Sequence, residues 1–506
     1  MLVSAGLETA SREDLLTLIV LLQRQERSQA ELVAELSAST TALVAANAQL
    51  TEANVALTAR VAELERRLGR NSGNSNMPPS TDVFGLPKGE KPGTGDVGRK
   101  PKRGKRPGAE GVGLALTGDP DAVEDVFPEA CGGCARAFDG LTGNDSLGYA
   151  RRQCTDIPPT SAIVTETRWH RVGCRCGQVT GALVPGDVPD APCYGPGLAA
   201  LAVYLVVYQH VPVERTAELI SDLTGARVSS GWVASQLPKA AGIVGACLKL
   251  IKALLMLGHV LHADETTTNI GGKRRYLHVA CTEALTFLGV AHRSRAGANS
   301  LGILPGFRGT MVHDAYFQLY DGYPNAYHQL CASHAIRELT AQDELFPRQV
   351  WARQIRTALS QLIKQADRAR SEGLDHIPPE RIERDLFYYR QGVAVGLSRH
   401  PRTSANGKQS DATNLLERLR DHAHSYLLFT VDLHVSPTNN LAERDQRPVK
   451  TQEKISGCHQ SEAGATNWLD VRSYVSSARK NGVSAYEALR LAFAGTPWLP
   501  NIALTT

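Results

Sequence analysis

Leucine recurs at every seventh position between residues 36 and 64, and this spacing constrains the fold of the N-terminal region more than any other feature. The leucines of the series are Leu36, Leu43, Leu50, Leu57 and Leu64. With leucine at d, asparagine falls at two a positions, where it fixes the register of paired helices at some cost in stability. We therefore predict one helix over residues 12–70 that pairs with a second copy as a parallel two-stranded coiled coil. An amphipathic helix lying on its own protein is the alternative.

The chain is too long for a single hydrophobic core, because its 506 residues exceed the size at which chains divide into domains. No run of about 18 apolar residues is present, so no membrane span is expected. The acids near the start, Glu8, Glu13 and Asp14, are unlike the basic start of a secretory signal. Ten cysteines are too sparse for a disulfide scaffold, which favours a reducing, cytoplasmic location.

A basic segment rich in proline and glycine is expected to be an extended linker over residues 71–115. From Lys88 to Arg106, eight residues are lysine or arginine and two are acidic. Such a segment contacts nucleic acid through charge alone, and a solvated linker without a ligand is the alternative. The basic residues expected to contact DNA phosphates are Lys100, Lys102, Arg103, Lys105 and Arg106.

Two close cysteine pairs border residues 116–190, a segment whose composition predicts β-structure. The pairs are Cys131 with Cys134 and Cys174 with Cys176, and an alternating pattern predicts a strand over residues 162–170 between them. Two turns that each offer two thiolates can build a tetrahedral site, so we expect one structural zinc ion in a zinc-ribbon-like domain. Thiols without a metal are the alternative. The remaining cysteines are expected to be core residues: Cys154, Cys193, Cys247, Cys281, Cys331 and Cys458.

Residues 191–255 are predicted to be helical. A helix that starts near Arg215 is closed by Gly225, and a short turn leads to a second helix capped by Ser229 or Ser230. Helix, tight turn and helix are the outline of a helix-turn-helix that binds DNA. Plain helical bundles have the same outline, so the pattern leaves both interpretations open.

From residue 256 the sequence changes to short apolar runs typical of strands. Runs over 260–263, 275–281 and 284–291 predict a three-strand meander, and a fourth run leads into Asp314. The stretches predicted to form one α/β core are residues 256–345 and 431–496, and residues 346–430 are predicted to be a helical insertion. The last helix is expected to hold residues 468–480.

Three acids of this region are candidate metal ligands. Asp264 and Asp314 each end an apolar run, and Glu443 stands on a predicted helix. Acids so placed can converge on Mg²⁺ or Mn²⁺, which supports phosphodiester cleavage by stabilising the attacking and leaving oxygens. For the two aspartates the alternative is a turn acid, and for Glu443 it is a capping box with Asn440.

Basic residues follow Glu443 and suit a phosphate backbone that passes the site. Those expected to contact DNA are Arg444, Arg447, Lys450 and Lys454, and Arg472, Arg479 and Lys480 follow them. Pro448 is expected to kink or end this helix, so the four basic residues cannot be assigned to one continuous face.

The order of these motifs resembles DDE transposases of the insertion-sequence 66 family. The most specific matches are Asp264-Glu265-Thr266, His313-Asp314-Ala315-Tyr316, Cys331-Ala332-Ser333-His334 and Asn439-Asn440-Leu441-Ala442-Glu443-Arg444. The resemblance implies an RNase H-like α/β catalytic core with Asp264, Asp314 and Glu443 as its metal-binding triad. It also implies that His334 lies near the site and contacts the scissile phosphate or a flipped base. A helix histidine packed behind the sheet is the alternative.

The resemblance further implies a multidomain α+β transposase of the bacterial cytoplasm, associated with the nucleoid. Such an enzyme binds the terminal inverted repeats of its element, hydrolyses the 3′ ends and joins them to target DNA in line. Expected partners are both DNAs and a second copy through the coiled coil, and accessory transposition proteins are candidates. The alternatives are a catalytically inactive DNA-binding regulator derived from a transposase and an RNase H-like structure-specific nuclease.

Overall fold

The computed structural model of the chain describes residues 11–68, 115–157, 160–183, 192–402 and 407–501. Lys100, Lys102, Arg103, Lys105 and Arg106, the linker residues predicted to contact DNA, lie outside these described residues. By its internal contacts the chain forms two units. The first consists of Met1–Phe84, Val244–Val483 and Leu499–Thr506, and the second of Gly85–Ile243 and Ser484–Trp498.

The N-terminal region is a continuous helix, α1, over Arg12–Leu68. The five leucines of the heptad series are between 45% and 63% exposed. Leucine is usually buried in folded proteins, so this row of leucines is a surface that a partner helix would cover. Pairing with a second copy stays a prediction.

The cysteine-bearing segment contains little regular structure among its described residues. Two short strands, β1 (Arg171–Gly173) and β2 (Val179–Gly181), form an antiparallel hairpin around the turn that holds Cys174 and Cys176. The strand predicted over residues 162–170 is wrong, and Ile163 and Val164 in it are almost fully exposed. An alternating pattern produces a strand only where a neighbouring strand satisfies its backbone groups, and no described strand pairs with this segment.

Helices α2 (Pro196–Val203), α3 (Val213–Thr224) and α4 (Ser230–Leu257) follow, with a π-helical turn over Tyr204–Tyr208. As predicted, α3 ends at Gly225, whose φ of 72° is the left-handed conformation that glycine adopts without strain. The Ser229 hydroxyl accepts a hydrogen bond from the Trp232 N–H at 3.1 Å and so caps α4. Helix, tight turn and helix are therefore present.

By length and composition alone, helix α4 is long and apolar enough to cross a membrane. The sequence analysis expected no membrane span and did not identify this helix as a candidate. A helix that packs into the core of a protein passes the same test, and part of α4 is buried. Its buried residues Val244, Leu248, Ile251 and Leu255 recur at helical spacing, as on a face that packs against the protein. One such helix among the described residues is weak evidence for a membrane span.

A five-stranded mixed sheet follows, with strand order β5-β4-β3-β6-β7. Its strands are β3 (Val260–Ile270), β4 (Lys273–Cys281), β5 (Thr286–Ala291), β6 (Thr310–His313) and β7 (Tyr327–Leu330). Strand β4 pairs antiparallel with β3 and with β5. Strand β6 lies parallel to β3, and β7 lies parallel to β6. Two short helices, α5 (Arg295–Ser300) and α6 (Phe317–Tyr320), lie in the connections.

The sheet corrects two expectations. Strand β3 continues well past residue 263 into a long hairpin with β4, so Asp264 lies within a strand and does not end one. Gly271 and Gly272, with φ of 55° and 72°, make the tight turn of this hairpin possible. Strand β7 was not predicted, because four residues are too few to show an alternating pattern.

Helices occupy the region of the predicted insertion. Helix α7 (Ala332–Leu345) comes before that region, and the helices within it are α8 (Trp351–Ser371), α9 (Pro379–Arg399), α10 (Asp411–Asp421) and α11 (Ala423–Leu427). Trp351, Ile355 and Leu416 belong to one buried apolar cluster. A Cβ at Gly392 would lie 2.6 Å from the Ile355 side chain, so glycine is needed for the close approach of α9 to α8.

Three more helices close the described chain: α12 (Asn440–Ile455), α13 (Glu462–Lys480) and α14 (Ala485–Phe493). Helix α14 was not expected. Pro448 was predicted to kink or end its helix; it does not end it, because α12 continues through Pro448. Ala442, Gln446, Val449 and Gln452 form its buried face. Packing of that face against the sheet outweighs the backbone hydrogen bond that proline cannot make.

Candidate active site

The sheet brings Asp264 and Asp314 to the same level on neighbouring strands. Strands β3 and β6 are parallel, with Val260 opposite Thr310 and His262 opposite Val312. Continued by two residues, this register places Asp264 beside Asp314, which directly follows β6. Two carboxylates that are 50 positions apart in sequence therefore meet where β6 ends beside β3.

Glu443 lies in the first turn of α12, and buried polar contacts fasten that turn to β3. Asn439, which is fully buried, accepts a hydrogen bond from His262 Nδ1 at 3.1 Å and donates one from Nδ2 to the Ala263 carbonyl at 2.9 Å. One turn beyond Glu443, Gln446 Nε2 donates to Asp264 Oδ2. The helix that carries the third acid is thus held on both sides of Glu443 to the strand that carries the first.

Sequence reasoning did not assign roles to Asn439 and Gln446. Asn439 belongs to the Asn439-Asn440 pair that was quoted as a motif, and its backbone N–H also donates to Cys331 Sγ at 3.2 Å. A polar residue that is fully buried must satisfy its hydrogen-bonding groups inside the protein. Two asparagines shortly before an acid could have indicated a structural role for one of them, but sequence alone does not show which asparagine is buried.

Burial raises the pKa of both aspartates, and neighbouring acids raise that of Asp264 further. Burial raises the pKa of Asp264 well above its usual value, and the charges of Asp314, Glu265 and Glu443 raise it further. Burial also raises the pKa of Asp314, against the opposing effect of the Tyr316 N–H and the charge of Arg293. Clustered carboxylates in a partly buried site favour a bound cation, because it offsets both their desolvation and their mutual repulsion.

Carboxylate oxygens are the donors that Mg²⁺ and Mn²⁺ prefer, so Asp264, Asp314 and Glu443 fit a divalent cation by chemistry and by charge. In the described part of the chain, however, no three His, Cys, Asp or Glu side chains are grouped as a ready-made metal site. Protein donors engage all three acids, since Gln446 contacts Asp264, the Tyr316 N–H donates to Asp314, and Arg337 Nη2 lies 3.4 Å from Glu443 Oε1. The three acids therefore come within electrostatic reach of one another and are not gathered in one coordination sphere.

His334 on α7 lies beside Glu443. Its Nε2 is 3.8 Å from Glu443 Oε1. Burial, and then the charges of Arg337 and Arg418, lower the pKa of His334 to about 4, so the ring is neutral near pH 7. Its Nδ1 is buried and has no hydrogen-bond partner among the described residues. The capping box of Glu443 with Asn440 is not formed, because Asn439 occupies the N-cap position, without a side-chain capping bond, and Glu443 faces Arg337 and His334.

The basic residues of α12 divide into two groups. Arg444, Arg447 and Lys454 are exposed, and their spacing along a continuous helix puts them on one face. These three can be assigned to one face because α12 continues through Pro448, where an interruption was expected. Lys450 is different: it is half-buried and donates to the Thr267 carbonyl and to Glu453 Oε2, so its charge is used within the fold.

The four cysteines predicted to bind zinc lie in two turns and form two pairs. Backbone N–H groups of Cys134 and Gly133 lower the pKa of Cys131, and the backbone N–H of Cys176 does the same for Cys174. Each turn therefore favours a thiolate, which is the form that binds a metal. The two pairs are not grouped as one site among the described residues, so zinc stays a prediction.

Three of the other cysteines are buried, as predicted. These are Cys247, Cys281 and Cys331. The expectation is wrong for Cys154 and Cys193, which are exposed, and Cys458 is half-buried. Scattered cysteines are usually core residues, but the segments that carry Cys154 and Cys193 have no described hydrophobic core around them.

We predict that the clustered acids destabilise the metal-free protein, and that this destabilisation increases with pH. Because the pKa of Asp264 is raised on folding, the folded protein holds more protons than the unfolded one above about pH 4, and this contribution to stability falls as pH rises. We expect metal-free Asp264→Asn to be more stable than the parent, with a margin that widens by up to ~1.4 kcal/mol per pH unit. Thermal unfolding of both proteins from pH 5 to pH 8 measures this difference.

Comparison with the variant is needed because buried histidines act in the opposite direction. Burial lowers the pKa of His262 and of His334 to about 4, so their contribution to stability rises with pH between about 4 and 6.5. Both proteins share those histidines, and the difference between them isolates the carboxyl. Added Mg²⁺ should reverse the order of stability. A margin that stays constant with pH would show that Asp264 is not part of a repulsive acidic cluster.

Comparison with known families gives two matches. A family described as Transposase IS66 family matches residues 192–467, which is more than half of the chain and includes Asp264, Asp314 and Glu443. A family of unknown function (DUF6444) matches residues 23–112, which include most of α1. No curated protein matches the chain.

Proposed function

The chain belongs to the insertion-sequence 66 family of transposases, and from this premise we propose that it cuts and joins DNA. It binds the terminal inverted repeats of its element, hydrolyses the 3′ ends and joins them to target DNA. The observation that carries this proposal is the position of Asp264 and Asp314 on neighbouring parallel strands, with Glu443 held beside them through Asn439 and Gln446.

An RNase H-like core is the architecture that we propose for this chemistry. Support comes from the mixed sheet, in which three antiparallel strands are followed by two parallel ones, and from the helices that separate β7 from α12. Within this sheet Asp264 stands on the first strand, Asp314 follows the fourth, and Glu443 is on a later helix.

Asp264, Asp314 and Glu443 would hold Mg²⁺ or Mn²⁺. Bound there, a divalent cation supplies charge neutralisation of the phosphate and activation of the attacking oxygen. His334 is neutral near pH 7 and lies beside Glu443, so we assign its ring a hydrogen bond to the DNA at the cut. Arg337 is placed to balance the charge of Glu443.

Further DNA contacts are proposed for three parts of the chain. The exposed face of α12 with Arg444, Arg447 and Lys454 lies beside Glu443 and suits the phosphates next to the cut. The basic linker adds contacts through charge, and the zinc-ribbon-like segment together with the α3–α4 pair recognises the element end. Pairing through α1 would let two ends be handled together, with accessory proteins as candidate partners in the bacterial cytoplasm.

The direct test is incubation of the purified protein with a duplex that carries an element end and flanking DNA, in Mg²⁺ or Mn²⁺. We expect a nick at the 3′ end of the element, followed by joining of that end to a second DNA. Binding without any cut would favour the catalytically inactive regulator. Cutting of branched DNA with no preference for the element end, and no joining, would favour the structure-specific nuclease.

A further inference from the structure

Arg293, at the end of β5, is held by a buried carboxylate next to the candidate active site. Its Nε and Nη2 lie 3.1 and 3.0 Å from Glu265 Oε1. The Glu265 side chain is 1% exposed and the Arg293 side chain 37%. Glu265 Oε2 accepts a hydrogen bond from the Tyr320 hydroxyl at 2.9 Å, and Tyr320 is itself buried. A rigid, buried support therefore carries a guanidinium that reaches solvent.

Two aromatic rings fix the guanidinium further. Its central carbon lies 4.0 Å from the centre of the Tyr316 ring and 5.6 Å from that of Tyr276. Tyr316 is part of the Asp314 turn, where its backbone N–H donates to Asp314 Oδ1 at 3.2 Å. Stacking on Tyr316 thus places the charge of Arg293 at the rim of the acidic cluster, where it acts on Asp314.

The hydrogen bonds of Arg293 leave part of its guanidinium unused. A guanidinium has five N–H donors in a fixed fork. Within the described chain, its two hydrogen bonds come from Nε and Nη2 and go to a single oxygen, so Nη1 is left for a ligand.

We propose that Arg293 binds a phosphate of the DNA strand that lies across Asp264 and Asp314, through a non-bridging oxygen and without regard to base sequence. Glu265 and Tyr320 are positioning residues for this contact, and Tyr316 supports the guanidinium from one side. The proposal rests on the proposed function, since it assumes that a DNA strand reaches the acids. A planar guanidinium that is held in place suits a phosphate better than a flexible lysine does.

The test uses the full-length protein and a set of element-end duplexes, each with one phosphate near the cut replaced by a neutral methylphosphonate. Binding is measured for every duplex in Mg²⁺, and cleavage is followed in the same samples. For the parent protein we expect one position where the neutral group weakens binding roughly tenfold or more, as for the loss of a charged hydrogen bond. In Arg293→Gln that position should lose its effect, while other sensitive positions keep theirs.

Arg356→Gln is the matched control. Arg356 also pairs with a mostly buried acid, Asp343, at 3.0 Å and is partly exposed, but it lies on α8 in the helical region. It should keep the parent pattern of sensitive phosphates. Arg293→Lys keeps the positive charge but lacks the planar guanidinium. Compared with Arg293→Gln, it should recover more of the overall DNA affinity than of the sensitivity to the neutral group at that one phosphate.

The outcomes separate the two proposals. If Arg293→Gln keeps the same sensitive phosphates as the parent, the assignment of Arg293 is overturned, whatever happens to cleavage. If the parent binds the ends without cutting them, the proposed function fails, and the binding pattern still decides the role of Arg293. If the parent does not bind DNA at all, both proposals are overturned. Unfolding temperatures of each variant show whether a change in binding reflects loss of the fold.

Discussion

Asp264→Asn, Asp314→Asn and Glu443→Gln are each expected to lower Mg²⁺-dependent cleavage of an element end by about a thousandfold or more. Binding of the uncut end should change little. A metal that stabilises developing charge contributes several kcal/mol to the transition state, and each ~1.4 kcal/mol is a factor of ten in rate. Loss of one carboxylate from the group proposed to hold the metal is therefore expected to have a larger effect on activity than any other substitution.

The amide variants remove charge while keeping size and most contacts. Asp264 Oδ1 accepts a hydrogen bond from the Glu265 N–H at 2.9 Å, and the amide oxygen of asparagine can accept the same bond. The fold should therefore persist, as a far-ultraviolet circular dichroism spectrum would show. Any fall in cleavage can then be assigned to the missing charge.

Asp470→Asn is the control for these three variants. Asp470 on α13 is also partly buried, and burial raises its pKa, with the charge of Lys252 opposing. It is not among the acids whose charges act on Asp264, so cleavage should stay within about threefold of the parent. Full activity in any one of the three acid variants would refute the assignment of that acid. Equal loss in the control would point to a general effect on the fold.

The three acids could be proposed from sequence, and their arrangement only in part. Asp264 and Asp314 both follow apolar runs, and an acid after such a run is visible without a structure. Their common level depends on the register between β3 and β6, which is set by pairing between residues 50 positions apart. No local pattern encodes such a register. Asp264 was expected at a strand end and lies inside β3, because pairing with β4 extends that strand to Ile270.

The contacts that hold Glu443 in place could not be predicted from sequence either, because they join residues far apart in the chain. Asn439 reaches His262 and Ala263 across more than 170 positions, and Gln446 reaches Asp264 across 182. An asparagine or glutamine in a helix is most often a surface residue. Only the packing of α12 on β3 makes these two amides buried and gives them partners.

Local propensity misled where tertiary packing decided the outcome. Pro448 predicted an interruption, yet the buried face of α12 extends on both sides of it. The alternation over residues 162–170 predicted a strand, yet no described strand lies beside it. Propensity is a weak guide when a segment gains or lacks a packing partner. The heptad of α1 is the opposite case, since its periodicity predicted a long helix and the structure has one.

Lys480→Met is expected to be the most destabilising of the substitutions, at about 3–5 kcal/mol, because it leaves a buried acid without its cation. Lys480 Nζ lies 2.6 Å from Asp445 Oδ2, and the two side chains are 13% and 10% exposed. Asp445 also accepts a bond from the Thr286 hydroxyl, and Lys480 donates to the Thr282 carbonyl at 2.7 Å. The pair therefore ties α12 and α13 to β5, close to the helix turn that carries Glu443.

Urea unfolding of Lys480→Met, of Asp445→Asn and of the double variant measures this coupling. The double variant should be more stable than Lys480→Met alone, because the acid left without a cation is then neutral. Arg444→Met, on the exposed face of the same helix α12, is the control and should shift stability by no more than about 0.5 kcal/mol. DNA binding should show the opposite order of effects: Arg444→Met should weaken affinity for DNA, and Lys480→Met, where it is folded, should not. If Lys480→Met lost DNA affinity with its stability intact, Lys480 would be a DNA contact after all, and the buried pair would have no structural role.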